Sequence, residues 1–195
     1  MTQHQGIDRR AFVRELIARC PDALVVTGLG SSTWDVFAAG DRPENFYLWG
    51  AMGGAAAIGL GLAIAQPQRS VLVVTGDGEQ LMGLGMLATI AAQQPANLTL
   101  VVLDNGHYAE TGMQRSHTSL GTNLAAVARA CGIAHAAEIR ELQEVEALAQ
   151  RVQARQGCSF AQVRIAAADL PKVLPARDGV YLKNRFRAVL GLPPF

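Results

Sequence analysis

Short unbroken apolar runs alternate along this chain with stretches in which apolar side chains return every three or four positions. Ala23–Thr27, Ser70–Thr75, Leu98–Leu103, Ile133–Ala137 and Phe160–Ile165 are such runs, each next to a turn-forming residue, and read as strands. Between them lie helical patterns. Asp8 is placed to cap a helix reaching Arg19, with Phe12, Leu16 and Ile17 on one stripe. Asn123 caps a second to Ala130, and Glu141–Arg155 is charged and amphipathic. A loop at Asp41–Asn45 leads through Phe46–Trp49 into a helix of small residues, and a further helix is expected to start near Gly78. The tail holds Pro171, Pro175, Pro193 and Pro194 and ends in a helix over Tyr181–Leu190. The alternation predicts an α/β fold: a doubly wound, six-stranded, mainly parallel sheet with helices on both faces. With no repeat or linker in sight, residues 1–195 read as a single domain long enough for a real core.

Composition narrows the function classes. Half the residues are hydrophobic, 17% are charged and the net charge is +1, which suggests neither a nucleic-acid face nor an acidic tail. So little charge points to surface buried against another subunit. The uncharged stretch Leu48–Gln68 is long enough to cross a membrane, but Gly50, Gly53, Gly54, Gly59, Gly61 and many alanines make it a closely packed buried helix instead. Cys20, Cys131 and Cys158 are odd in number and far apart, against a disulfide scaffold, a zinc site or an iron–sulfur cluster. With a polar start, Met1–Gly6, that lacks a signal-peptide core, they point to a reducing, cytoplasmic compartment.

Chemistry concentrates at two strand ends. Ser70–Thr75 delivers Asp77 into the turn Gly76-Asp77-Gly78, and Leu98–Leu103 delivers Asp104-Asn105-Gly106-His107-Tyr108. On neighbouring parallel strands, Asp77 and Asn105 would emerge side by side at the carboxyl edge, where open α/β sheets bind ligands. A carboxylate, an amide oxygen and a backbone carbonyl are hard donors suited to Mg²⁺ shared with a diphosphate. The glycines admit the phosphates, and a helix N-terminus supplies amides. Taken separately, each half is an ordinary turn. Gly28-x-Gly30-x-x-Thr33 also follows a strand, but the third glycine of a dinucleotide fingerprint is missing, so it reads as a turn or a cofactor-adjacent loop.

Together the two halves resemble the motif of thiamine-diphosphate enzymes. The resemblance implies that Asp77, Asn105 and the His107 carbonyl hold Mg²⁺, and that Gly76, Asp77, Gly78, Glu79, Asn105, His107 and Tyr108 surround the cofactor. It also makes Trp49-Gly50-Ala51-Met52-Gly53 similar to a segment opening a helix beneath the cofactor. There Gly50 would offer its carbonyl to the aminopyrimidine and Met52 would wedge between the two rings. Gly40–Tyr47, Ile58–Ala63, Leu81-Met82, Leu87–Ile90, Thr111-Gly112 with Gln114, and Lys183-x-Arg185-Phe186 extend the likeness to the sulfopyruvate and phosphonopyruvate decarboxylases. Two departures stand out. Glu79 replaces a small residue beside the diphosphate, so its carboxylate must turn away or weaken binding. Arg115-Ser-His117 replaces a proline-containing continuation. His117 is a candidate for acid–base work and Arg115 for neutralising an acidic substrate, each weighed against an exposed loop position.

The family's activating glutamate lies on a separate pyrimidine-binding domain. The expectation is therefore the β chain of a split thiamine-diphosphate- and Mg²⁺-dependent decarboxylase acting on a small acidic 2-oxo acid. A separate α subunit would bring the other half of the pocket, giving a hetero-oligomer with no membrane or nucleic-acid partner. Half of another thiamine-diphosphate enzyme (a carboligase or an aromatic 2-oxo acid decarboxylase), an oxidoreductase subunit, and a non-catalytic cofactor-binding subunit remain alternatives.

Overall fold

Eight strands form among the described residues: β1 (Leu24–Thr27), β2 (Asn45–Tyr47), β3 (Val71–Gly76), β4 (Leu98–Asp104), β5 (His107–Tyr108), β6 (Gln114–Arg115), β7 (His135–Ile139) and β8 (Ser159–Arg164). The computed structural model describes residues 6–193; the polar start Met1–Gln5 and Pro194–Phe195 lie outside the described residues. Six strands make one all-parallel sheet in the order β2–β1–β3–β4–β8–β7, as the alternation required. The remaining two, β5 and β6, form a small antiparallel hairpin that the sequence pattern did not announce.

The helices are α1 (Arg9–Arg19), α2 (Ser31–Ala38), α3 (Ala55–Ala65), α4 (Asp77–Met82), α5 (Met86–Gln93), α6 (Leu124–Cys131), α7 (Val145–Ala154) and α8 (Gly179–Val189). Successive side chains of a strand point to opposite faces, so the central strands feed two cores. Leu72, Val74, Val101 and Leu103 pack with Phe12 and Leu16 of α1 and Leu148 and Val152 of α7. Val71, Val73, Leu98, Leu100 and Val102 pack with Leu60 of α3, Ile90 of α5 and Leu124 of α6. Helix α3 lies so close to β3 that a Cβ at Gly59 would sit 2.2 Å from Val73 Cγ2, which explains its small residues. Helix α8 covers the β2 edge, with Leu182 in one core and Phe186 in the other.

Two of the boundaries that differ from expectation do so for plain local reasons. The small-residue helix begins at Ala55 rather than near Leu48, because Ala51 (φ 54°) and Gly53 (φ 94°) are left-handed and the segment turns instead. Strand β7 begins at His135 rather than Ile133, because the Ile133 N–H is used on the Ala128 carbonyl to close α6 beyond Gly132. No helix among the described residues is long and apolar enough to cross a membrane.

Strand order decides where a ligand can sit. The chain moves outward from β1 to β2, then returns past β1 to β3, opening a crevice beyond their carboxyl ends.

Candidate functional site

The register of β3 on β4 builds the site. Gly76 pairs with Leu103, so the next residues, Asp77 and Asp104, fall opposite each other, with Asn105 one step beyond. A cavity of about 450 Å³ opens there. Its wall includes Gly76, Asp77, Gly78, Glu79, Asn105, His107, Tyr108 and Met52. Gly50 is exposed and outside that wall, next to Trp49, which is in it.

Asp77 opens α4 and is buried. Its Oδ2 accepts hydrogen bonds from Ser116 Oγ and, at 3.1 Å, from Thr118 Oγ1, while neither falls on Oδ1. Among the described residues no ion pair reaches this carboxylate. Burial pushes its pKa up to about 6; the two hydroxyls oppose that shift and the charge of Asp104 adds to it. The neighbouring carboxylate is differently served. Asp104 Oδ2 accepts from Gln162 Nε2 at 2.6 Å and pairs with Arg164, and its Oδ1 lies 2.7 Å from Thr118 Oγ1, whose single proton is shared between the two acids. Among the described residues Asp77 is thus the acid left without a cation, and neither side-chain hydroxyl reaches its Oδ1. A divalent ion would supply what is missing.

The second donor is shaped by its own turn. Asn105 Oδ1 accepts the His107 N–H at 2.8 Å, which occupies one of its two lone pairs. His107 Nδ1 lies 2.8 Å from the Asn105 carbonyl. Only one member of this oxygen set is an acid, which is consistent with there being no cluster of three or more His, Cys, Asp or Glu fit for a metal among the described residues. Around the donors the backbone is open for phosphates. A Cβ at Gly76 would meet nothing within 4 Å, whereas one at Gly78 would strike the Tyr108 ring at 2.5 Å, so the tyrosine packs directly on the first turn of α4. The donors and the open cradle fit a metal–diphosphate group.

Glu79 turns away, as one of its two expected alternatives required. Its Oε2 accepts the Leu29 N–H at 2.8 Å and its Oε1 the Gly53 N–H at 3.3 Å, although it remains part of the wall. Desolvation raises its pKa, and these two amides pull the other way. His117 is not brought into the cavity. It is exposed and outside the wall, because Ser116 and Thr118 on either side turn inward to Asp77. Arg115 is likewise exposed and donates to Ser119 Oγ at 3.2 Å. The sequence pattern passed over the pair of hydroxyls, whose every-other-residue spacing around His117 was the available signal. It also passed over Trp34, Lys172 and Arg177 in the wall, and gave Trp49 no role of its own within its segment. Lys172 and Arg177 come from chain far from either motif and carried no signal.

Fold and site together define a thiamine-diphosphate-binding domain. The chain belongs to the family described as "Thiamine pyrophosphate enzyme, C-terminal TPP binding domain", whose profile matches residues 29–163. It is 40% identical over 192 residues to a phosphonopyruvate decarboxylase of Streptomyces viridochromogenes, covering 95% of this chain and 47% of that one. It is 42% identical over 126 residues to a sulfopyruvate decarboxylase subunit beta of Methanothermobacter thermautotrophicus, covering 65% and 67%. The chain thus spans about half the length of the Streptomyces relative. Among solved structures, a 4-hydroxybenzoylformate decarboxylase of Rhodococcus jostii RHA1 superposes with a TM-score of 0.69 at 20% identity, covering 85% of this chain and 34% of that one. That likeness is one of fold.

Proposed function

We propose that this chain is the diphosphate-binding β half of a thiamine-diphosphate- and Mg²⁺-dependent decarboxylase for a small acidic 2-oxo acid such as sulfopyruvate or phosphonopyruvate. Relatives named for those two reactions, at 40–42% identity, support the substrate class, and a relative named a β subunit supports a separate α subunit carrying the pyrimidine-binding half. Three free cysteines accord with a reducing cytoplasm.

The observation that carries the reading is the buried, unpaired Asp77 carboxylate set beside Asn105 at the open end of β3 and β4. Asp77 Oδ1, Asn105 Oδ1 and the His107 carbonyl would hold Mg²⁺. Ser116 and Thr118 fix the Asp77 carboxylate through Oδ2, so its orientation is set before the ion arrives. The amides opening α4 and the open face at Gly76 would receive the diphosphate. When bound, thiamine diphosphate supplies the electron sink into which a 2-oxo acid can lose CO₂. This chain's task is to anchor and orient it.

Calorimetry tests the reading. In the intact enzyme with its pyrimidine-binding half, Asp77→Ala should abolish Mg²⁺-dependent thiamine diphosphate binding and turnover of both acids. Unchanged cofactor affinity would remove Asp77 as a ligand.

A further inference from the structure

Beyond β8 the chain crosses the cavity as a strap, residues 166–178, without helix or strand. Two hydrogen bonds of 2.8 Å pin it: Arg10 Nη2 donates to the Pro171 carbonyl and Trp49 Nε1 to the Ala176 carbonyl. Pro175 between them is buried. Each pinned residue is followed by a cation. Lys172 Nζ stands 4.9 Å from the centre of the Trp34 ring, and Arg177 Cζ stands 5.2 Å from that of Trp49. All four side chains belong to the cavity wall. Among the described residues neither cation makes an ion pair or a side-chain hydrogen bond. The Trp34 Nε1–H, buried in the same wall, likewise finds no acceptor there.

The charges facing them leave room for one more anion. Asp77 would be taken by the metal in the reading above, and Glu79 is held by the Leu29 and Gly53 amides. Of the carboxylates in the wall, only Glu110 is exposed. Two cations stacked on indoles, on a strap fixed at two points, form a prepaid receptor for a tetrahedral oxyanion.

We propose that Lys172 and Arg177 bind the second acidic group of the substrate, the sulfonate or phosphonate, and so determine selectivity for acidic 2-oxo acids over neutral ones. This rests on the decarboxylase reading above and deepens it. The cofactor's own diphosphate has the same oxyanion chemistry, so the test separates the two.

In the intact enzyme, Lys172→Gln and Arg177→Gln should each lower the ratio of kcat/KM for sulfopyruvate to kcat/KM for pyruvate by about tenfold, and together by more. The loss should fall mainly on KM for the acidic substrate. Affinity for thiamine diphosphate with Mg²⁺, measured by calorimetry, should stay within about twofold of wild type. Lys172→Arg and Arg177→Lys should keep most of the selectivity, which separates lost charge from a disturbed strap. An unchanged ratio overturns the proposal. So does a weakened cofactor affinity without a change in the ratio, because the cations would then serve the diphosphate. A wild-type enzyme that consumes pyruvate or benzoylformate but neither acidic substrate sinks the acidic-substrate reading itself, before any variant is made.

Discussion

Glu79 shows how a single side chain can oppose its surroundings and still be retained. A buried carboxylate is costly unless its charge is met, and here two backbone amides meet it. They belong to the β1 loop and to the turn before α3, so one side chain ties together three segments that frame the cavity. A Cβ at Gly28 would lie 1.9 Å from its Oε2, so that glycine makes room for it. Removing the carboxylate in Glu79→Ala strands both amides and should lower stability to urea by roughly 1–3 kcal/mol. Glu79→Gln, which keeps an acceptor, should lose less. Equal losses in the two variants would show that bulk and one retained acceptor do not suffice, and that both carboxylate oxygens with their charge are needed to hold the two amides. At this scale the sequence was legible wherever a residue type has few uses. An acid between two glycines at a strand end, followed by Asn-Gly at the end of another, is such a case. His117 is the opposite case: histidine serves many purposes, and which of three consecutive loop residues turns inward is set by the hairpin, which the pattern did not reveal.

Among elements, the central strands were readable because burial on both faces leaves them almost wholly apolar, as in β3 and β4. The edges were less so. Strand β7 carries Glu138, which joins Arg164 of β8 at 3.0 Å and Arg140 at 2.7 Å. Burial alone would raise the Glu138 pKa, but the hydrogen bond and charge of Arg164, then the charge of Arg140 and the Asn123 amide, outweigh it and bring the pKa below the usual value. A depressed folded pKa gives stability that is present above the unfolded value, roughly 4.3, and lost as the pH falls through the folded one. Wild type should therefore exceed Glu138→Gln in unfolding free energy measured with urea at neutral pH, by no more than about 1 kcal/mol because solvent reaches the pair. The two curves should converge below about pH 4. A gap that persists in acid would mean that packing, not charge, holds this edge. Boundaries such as the start of α3 escaped the sequence because two left-handed residues, not composition, decide them.

For the whole molecule, folding and binding are linked through Asp77. An unpaired buried acid destabilises the empty protein, so ligation should return more than surface contacts alone. With thiamine diphosphate and Mg²⁺ at a hundredfold excess over Kd, the intact enzyme should gain about 2.7 kcal/mol. For a domain of this size that raises Tm by roughly 5–10 °C. EDTA should cancel the gain, and a melting point indifferent to EDTA would argue that the diphosphate is held without a metal. The overall architecture was legible from the helix–strand alternation, because a chain so ordered has few ways to bury its strands. The path of residues 166–178 was not, since nothing in an irregular segment fixes where it returns. That path has an optical consequence. The chain has two tryptophans, both lie in the cavity wall, and each has a cation over its ring. Ultraviolet emission from this protein therefore comes almost entirely from its binding crevice, and it will register what enters there rather than the state of the sheet behind it.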